Sequence, residues 1–285
     1  MEGKTSPLVS VIVPCYKQAK YLPETLDCLM AQTYQCWEAI VIDDGSPDNV
    51  SEVASGYAER DSRIKFVHTE NQGVSAARNV AIRNHSTGKY ILPLDGDDLI
   101  TPIYLEHAVA YLEAHPECKL VYGMAEKFGA ENGKWDLPEY DFQKLLFDNM
   151  IFNAAVFRRE DFDRIIGYNE NMRAGVEDWD FYLTLLGPED KVHRLDELVY
   201  MYRIKKTSRN TVAAQDDTMI PLRRIIYNNH KEYYKPYVED IITYVRKTNA
   251  TQVYIDRVNN SISMKIGRFF TLPFGKLRDY IRRIR

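Results

Sequence analysis

Among the segments of this chain whose side chains could do chemistry, the densest is Asp95-Gly96-Asp97-Asp98, which follows the apolar run Tyr90-Ile91-Leu92-Pro93-Leu94. Carboxylates crowded at the end of a strand repel one another, and that repulsion favours a bound cation. Hard divalent ions such as Mg²⁺ or Mn²⁺ take oxygen ligands, one or two carboxylates plus the phosphates of a substrate. The turn therefore points to a nucleoside-diphosphate ligand. An isolated acidic turn is more often a solvated loop, so its weight comes from the segments that accompany it.

Two further clusters end apolar runs: Pro14-Cys15-Tyr16 and Asp43-Asp44-Gly45-Ser46. A carboxylate there can accept a base imide N–H, an aromatic ring can lie against the base, and Gly45 permits a tight turn. The alternative is a strand-to-helix turn capped by Ser46 or Asp48. Asn71 to Asn79 starts as a loop and becomes a helix carrying Arg78. Helix starts and guanidinium groups both favour phosphate or carboxylate, so Arg78 either meets the ligand, braces the acidic turn, or does both. Gly175-Val176-Glu177-Asp178-Trp179-Asp180-Phe181 opens another helix. Its acidic residues suit the helix dipole, and equally acceptor binding and proton abstraction. Tyr200-Met201-Tyr202-Arg203-Ile204-Lys205-Lys206 reads as a strand leading into a basic loop, which either closes over a diphosphate or is solvated.

The elements that must position these groups alternate. Strand-like runs at 8–13, 37–42, 63–68 and 89–94 are separated by helical patterns through Leu22, Leu26 and Leu29, over 50–60, and over 74–84. Parallel strands joined by crossover helices and buried on both faces satisfy this order, giving an α/β open sheet with its crevice at the carboxyl ends of the strands. Residues 1–115 form the first half of that domain and 116–212 a second half that completes the sheet and shapes an acceptor site. Residues 213–285 are expected to be a helical extension.

The chain has 285 residues, ordinary apolar content and a net charge of −4, which excludes disordered and fibrous classes. Cys15, Cys28, Cys36 and Cys118 lack paired metal-ligand spacing and read as reduced core or near-core residues. Neither a secretory signal nor a membrane span is read, and a cytoplasmic location is expected. From Arg257 onward, Lys265, Arg268, Lys276, Arg278, Arg282, Arg283 and Arg285 face only Asp279. With Ile262, Ile266, Phe269, Phe270, Phe274, Leu277, Ile281 and Ile284 at helical spacing, this tail suits an anionic membrane interface. Packing on the catalytic domain, or on a second subunit of a homo-oligomer, is the alternative.

Taken together, Val9-Ser10-Val11-Ile12-Val13-Pro14-Cys15-Tyr16, Val41 to Ser46, Asn71 to Asn79, the Asp-x-Asp turn and Gly175 to Trp179 resemble family 2 glycosyltransferases of the GT-A fold. The resemblance covers about residues 8–210 and implies a Rossmann-like, mixed but mostly parallel sheet flanked by helices. It implies an inverting, metal-dependent hexosyltransferase that moves a sugar from a nucleotide sugar, most often a UDP-sugar, to a hydroxyl of a glycan or lipid-linked glycan. By family analogy Pro14, Tyr16, Asp43 and Asp44 hold uridine, with Asp44 the preferred imide partner. Arg78 and Asp95 line the donor site, Asp97 ligates Mn²⁺ or Mg²⁺, and Asp178 is the base. Glu177 would orient or hydrogen-bond the acceptor, Trp179 would stack on its sugar ring or equally anchor its helix in the core, and Arg203, Lys205 and Lys206 would meet the diphosphate. Relatives build bacterial polysaccharide and cell-surface glycans at the inner face of the membrane, which favours membrane contact by the tail; no nucleic-acid partner is implied.

One departure stands out. Many relatives carry a histidine shortly after the Tyr-Arg pair, where this chain has Ile204-Lys205-Lys206. A charged lysine cannot ligate a metal, so either the ion relies on Asp97, phosphates and water, or the lysines neutralise diphosphate directly. A catalytically silent nucleotide-sugar-binding subunit is the competing class, and retention of Asp97 and Asp178 counts against it. A nucleotidyltransferase or a dehydrogenase would need a glycine-rich loop after a strand, which Pro14 to Lys20 does not supply.

Overall fold

The computed structural model describes residues 6–205 and 216–260. Two compact units divide the chain, Met1–His230 and Lys231–Arg285. The first unit thus runs past residue 212, where the sequence pattern placed the end of the catalytic domain.

The first half follows its apolar pattern closely. Val9–Cys15 (β1), Trp37–Asp44 (β2), Ile64–Thr69 (β3) and Tyr90–Pro93 (β4) alternate with helices Leu22–Met30 (α1), Val50–Arg60 (α2) and Val74–Val80 (α3), the last continued by a wider turn over Ala81–His85. Every residue of β1, β2 and β4 is buried, as strands covered on both faces require. β1 pairs in parallel with β2 and β4, and β2 in parallel with β3.

Leu99–Ile100 (β5) and Tyr104–Ala114 (α4) lead into the second half: Cys118–Gly129 (β6), Gly133–Trp135 (β7), Phe142–Leu145 (α5), Val156–Arg158 (β8), Arg159–Phe162 (α6), Glu177–Leu185 (α7) and Lys191–Ile204 (β9). The sheet order is β3-β2-β1-β4-β8-β6-β9-β5, with β7 on β6. Here the sheet becomes mixed, because β8 lies antiparallel between β4 and β6 whereas β6 and β9 run in parallel. Next in the chain is Asp216–Tyr234 (α8); its Leu222, Ile226 and His230 are buried at four-residue spacing, the pattern of a helix with one packed face. In the second unit Val238–Asn260 (α9) is helical and exposes Val245, Val253, Tyr254 and Ile255. No helix among the described residues is long and apolar enough to cross a membrane. The basic tail falls within 261–285, outside the described residues.

Candidate active site

The carboxyl ends of β1, β2 and β4 bring the polar clusters together. After β4 the chain turns through Asp95-Gly96-Asp97-Asp98, and the turn lies so close to the end of β1 that a Cβ on Gly96 would sit 2.6 Å from Cys15 Sγ and 2.7 Å from Gln18 Oε1. Its three carboxylates differ. Asp98 is buried, accepts the Tyr200 hydroxyl, and takes the backbone N–H of Arg203 at 2.8 Å; burial and the charges of Asp97 and Asp95 push its carboxyl well up. Asp97 accepts Gln18 Nε2 at 2.8 Å on Oδ1 and pairs with the Lys205 ammonium on Oδ2. Burial raises its carboxyl and the Asp95 charge adds to that, while Lys205 and Arg203 pull the other way. Asp95, the most accessible of the three, accepts Arg78 Nη2 at 2.6 Å and Asn153 Nδ2 at 3.2 Å.

Arg78 joins this turn to α7. Its guanidinium is fully buried, bonded to Asp95 on one side and to Glu177 Oε1 at 3.1 Å on the other, and it lies 5.2 Å from the centre of the Tyr168 ring. The two flanking carboxylates keep it charged although burial opposes charge. Asn79, one residue on, exchanges bonds with the backbone of Tyr168, donating to its carbonyl at 2.9 Å and accepting its N–H at 2.8 Å, so α3 is fastened to the approach to α7.

Asp178 is half-buried at the start of α7. It accepts Asn149 Nδ2 at 3.1 Å on Oδ2 and the Trp179 N–H at 2.8 Å on Oδ1. Burial, then the neighbouring Glu177 charge, push its carboxyl up to about 7 against the pull of Trp179 N–H and Arg78. A carboxylate held there can take a proton from a hydroxyl near neutral pH.

The β2 end is tightly bonded. Asp43 is buried, yet Ser46, His68 and Ser51 donate to it and hold its carboxyl low. Asp44 accepts the backbone N–H groups of Gln72 at 2.8 Å and Gly73 at 3.0 Å, which fixes the start of α3. Gly45, at φ +65°, packs against the Asn71 backbone. Pro14 is buried at the end of β1, whereas Tyr16 is 44% exposed with Lys17 Nζ 5.0 Å from its ring centre.

Residues 10–166 match the model of glycosyl transferase family 2. The chain belongs to that family. Among curated proteins, it is 31% identical to the uncharacterised glycosyltransferase EpsJ of Bacillus subtilis, over 69% of this chain and 61% of EpsJ. It is 28% identical to the glycosyltransferase GlyA of Streptococcus pneumoniae, over 72% of this chain and 32% of GlyA. The chain therefore spans less than two thirds of the length of these relatives. Among solved structures, TarS of S. aureus (residues 1–349) in complex with UDP-GlcNAc superposes with a TM-score of 0.64 at 22% identity, covering 78% of this chain and 66% of that one. The mannosyltransferase PcManGT of Pyrobaculum calidifontis, in complex with GDP-Man and Mn²⁺, gives 0.59 at 20% identity over 94% and 81%. The fold is the GT-A fold, as the motifs implied.

In this family 2 chain the geometry places the other residues that the motifs singled out as follows. Trp179 is 2% exposed, its indole N–H on the Leu145 carbonyl at 2.6 Å; it anchors α7 in the core and offers no face to a sugar. Glu177 is buried against Arg78, and Arg78 is a brace between carboxylates with no surface for a phosphate. Arg203 lies between the rings of Tyr21 and Phe128 while its guanidinium bonds the Asp97 carbonyl and Glu24. Lys205 does reach the acidic turn, and Lys206 lies outside the described residues. Gln18, Asn149 and Asn153 were missed: they stand in no recognisable motif, and only the folded chain brings them to the carboxylates. Tyr200 was read only as part of the strand before the basic loop, and its hydroxyl on Asp98 was not foreseen.

Proposed function

We infer that this chain is an inverting glycosyltransferase that moves a sugar from a nucleotide sugar, a UDP-sugar, to a hydroxyl of a glycan or lipid-linked glycan in the synthesis of bacterial-type polysaccharide. Asp178 carries the inference: a half-buried carboxyl raised to about 7, held by Asn149 and joined through Glu177 and Arg78 to Asp95 of the acidic turn. A binding-only protein has no use for such a group. The UDP-GlcNAc complex of TarS and the GDP-Man and Mn²⁺ complex of PcManGT, both of this fold, support a nucleotide-sugar donor.

Asp178 takes the proton of the acceptor hydroxyl as its oxygen attacks the anomeric carbon from the side opposite the nucleotide, so the configuration inverts. Asp44 keeps a second lone pair on each oxygen for an imide N–H, and Tyr16 presents an exposed ring to the base. Asp95 is held by Arg78 and Asn153 at the edge of the donor space.

A divalent ion fits the acidic turn. Its ligands there would be Asp97 and donor phosphates, all hard oxygens. Lys205 marks the place, since the Asp97 carboxylate already draws a cation. When bound, the metal would neutralise charge developing on the departing diphosphate. Without it Lys205 supplies one positive charge at the same carboxylate.

The test is UDP release from a panel of UDP-sugars with Mn²⁺, Mg²⁺ or EDTA, in the presence of a lipid-linked acceptor. The native chain should turn over one donor. EDTA, Asp97→Ala and Asp178→Asn should each lower turnover about a hundredfold or more. Tight UDP binding without turnover of any donor would instead identify a silent binding subunit.

A further inference from the structure

The base and the groups that hold its helix lie far apart in sequence. α7 begins after Val176, whose φ of 53° puts a β-branched side chain in the left-handed region. That conformation is costly and persists only where its surroundings impose it. The first turn of α7 is held on both sides of Asp178. Glu177 is fixed by Arg78, and Asp180, 0% exposed, is fixed by three side-chain donors. The Asn169 amide donates to Oδ2; Asn229 Nδ2 donates to Oδ1 at 2.8 Å, and His230 Nε2 lies 3.0 Å from the same oxygen. Asn229 also exchanges amide bonds with Asn171, at 3.0 and 3.3 Å.

Asn229 and His230 belong to α8, whose buried Leu222, Ile226 and His230 pack within the same compact unit as α7. At His230 the backbone leaves helical geometry (φ −125°, ψ 23°), and the unit ends at that residue. A fully buried carboxylate is costly to leave without its hydrogen-bond donors, so Asp180 ties the helix to the turn in both directions.

We propose that Asp180, Asn229 and His230 form a clamp through which α8 holds the strained first turn of α7 and thereby positions Asp178. All three are positioning residues, since the bonds of their side chains go to one another and to neighbouring asparagines. The proposal rests on Asp178 acting as the base.

The test compares the native chain with His230→Ala, Asn229→Ala and His230→Gln, using UDP release from the donor that turns over, its pH profile, and hydrogen exchange. Either alanine variant should lower kcat about tenfold, as a small displacement of a catalytic group does, with donor KM unchanged. The acid limb should move to lower pH, because a loosened Asp178 is better solvated. Amide protection over 177–180 should fall, and His230→Gln, which keeps a donor, should largely restore the native values. Adding Val176→Gly, which removes the left-handed cost, should recover most of the kcat lost in His230→Ala. The proposal is overturned if protection over 177–180 and kcat are both unchanged, or if kcat falls equally with and without Val176→Gly. Turnover retained by Asp178→Asn would remove the base instead, and hydrogen exchange would still decide on the clamp.

Discussion

Asp178 shows most plainly how surroundings make chemistry. An ordinary aspartate titrates near ~3.9, and burial beside Glu177 carries this one up to about 7. The acid limb of kcat/KM should therefore fall near pH 7, with activity lost below it as the base becomes protonated. Stability takes the opposite course. Between the unfolded and folded values the folded chain binds the proton more tightly, so stability is greatest below the unfolded value and is lost as pH rises through about 7. Asp178→Asn should remove that loss, raising stability at pH 8 on the order of 1–3 kcal/mol with little gain at pH 4. Denaturant unfolding at the two pH values measures it, and an equal gain at both would refute the assignment. Lys205 permits a second prediction at this scale. Its ammonium pairs with the Asp97 carboxylate, so at the proposed metal site it would compete with a divalent ion. Lys205→Ala should bind Mn²⁺ in the presence of UDP about tenfold more tightly by calorimetry, since one competing charge is gone; unchanged affinity would mean that the ion does not use Asp97.

At the scale of elements, what could be read from the sequence was what local pattern encodes. The β-branched runs of β1 and β2, each ending in polar residues, gave the parallel half of the sheet and the polar ends of its strands to within two residues. The start of α7 was equally legible from its acidic first turn. β8 was not, because its three residues carry no period and its place between β4 and β6 depends on pairings with distant strands. For Arg78, Glu177 and Trp179 the sequence left the choice between ligand contact and a structural place open for a related reason: a motif gives residue types at a spacing, whereas burial decides which of them face solvent. Trp179 has the side chain of a sugar platform but is turned into the core by Leu145. The Asp180–His230 contact spans 50 residues and joins two helices whose individual patterns say nothing of each other.

At the scale of the molecule, the division at His230 separates the residues that the site needs from the C-terminal unit. A chain ending at residue 212 loses Leu222 and Ile226 from the packed face of α8 along with both α8 donors to Asp180. It should be markedly less stable and at least tenfold slower. A chain ending at residue 255 keeps all of these and should retain turnover of soluble acceptors. What it lacks is the stretch in which Arg257, Lys265, Arg268, Lys276, Arg278, Arg282, Arg283 and Arg285 alternate with Phe269, Phe270, Phe274 and isoleucines. Basic residues at an anionic surface contribute about 1 kcal/mol each, and apolar side chains at the same interface add to that. The shorter chain should therefore no longer sediment with phosphatidylglycerol vesicles that retain the full chain at low salt. Binding of the full chain should weaken steeply as salt is raised, because the attraction is screened within a Debye length. Equal sedimentation of the two chains would place the contact, if any, on the folded units and leave the tail to pack on protein.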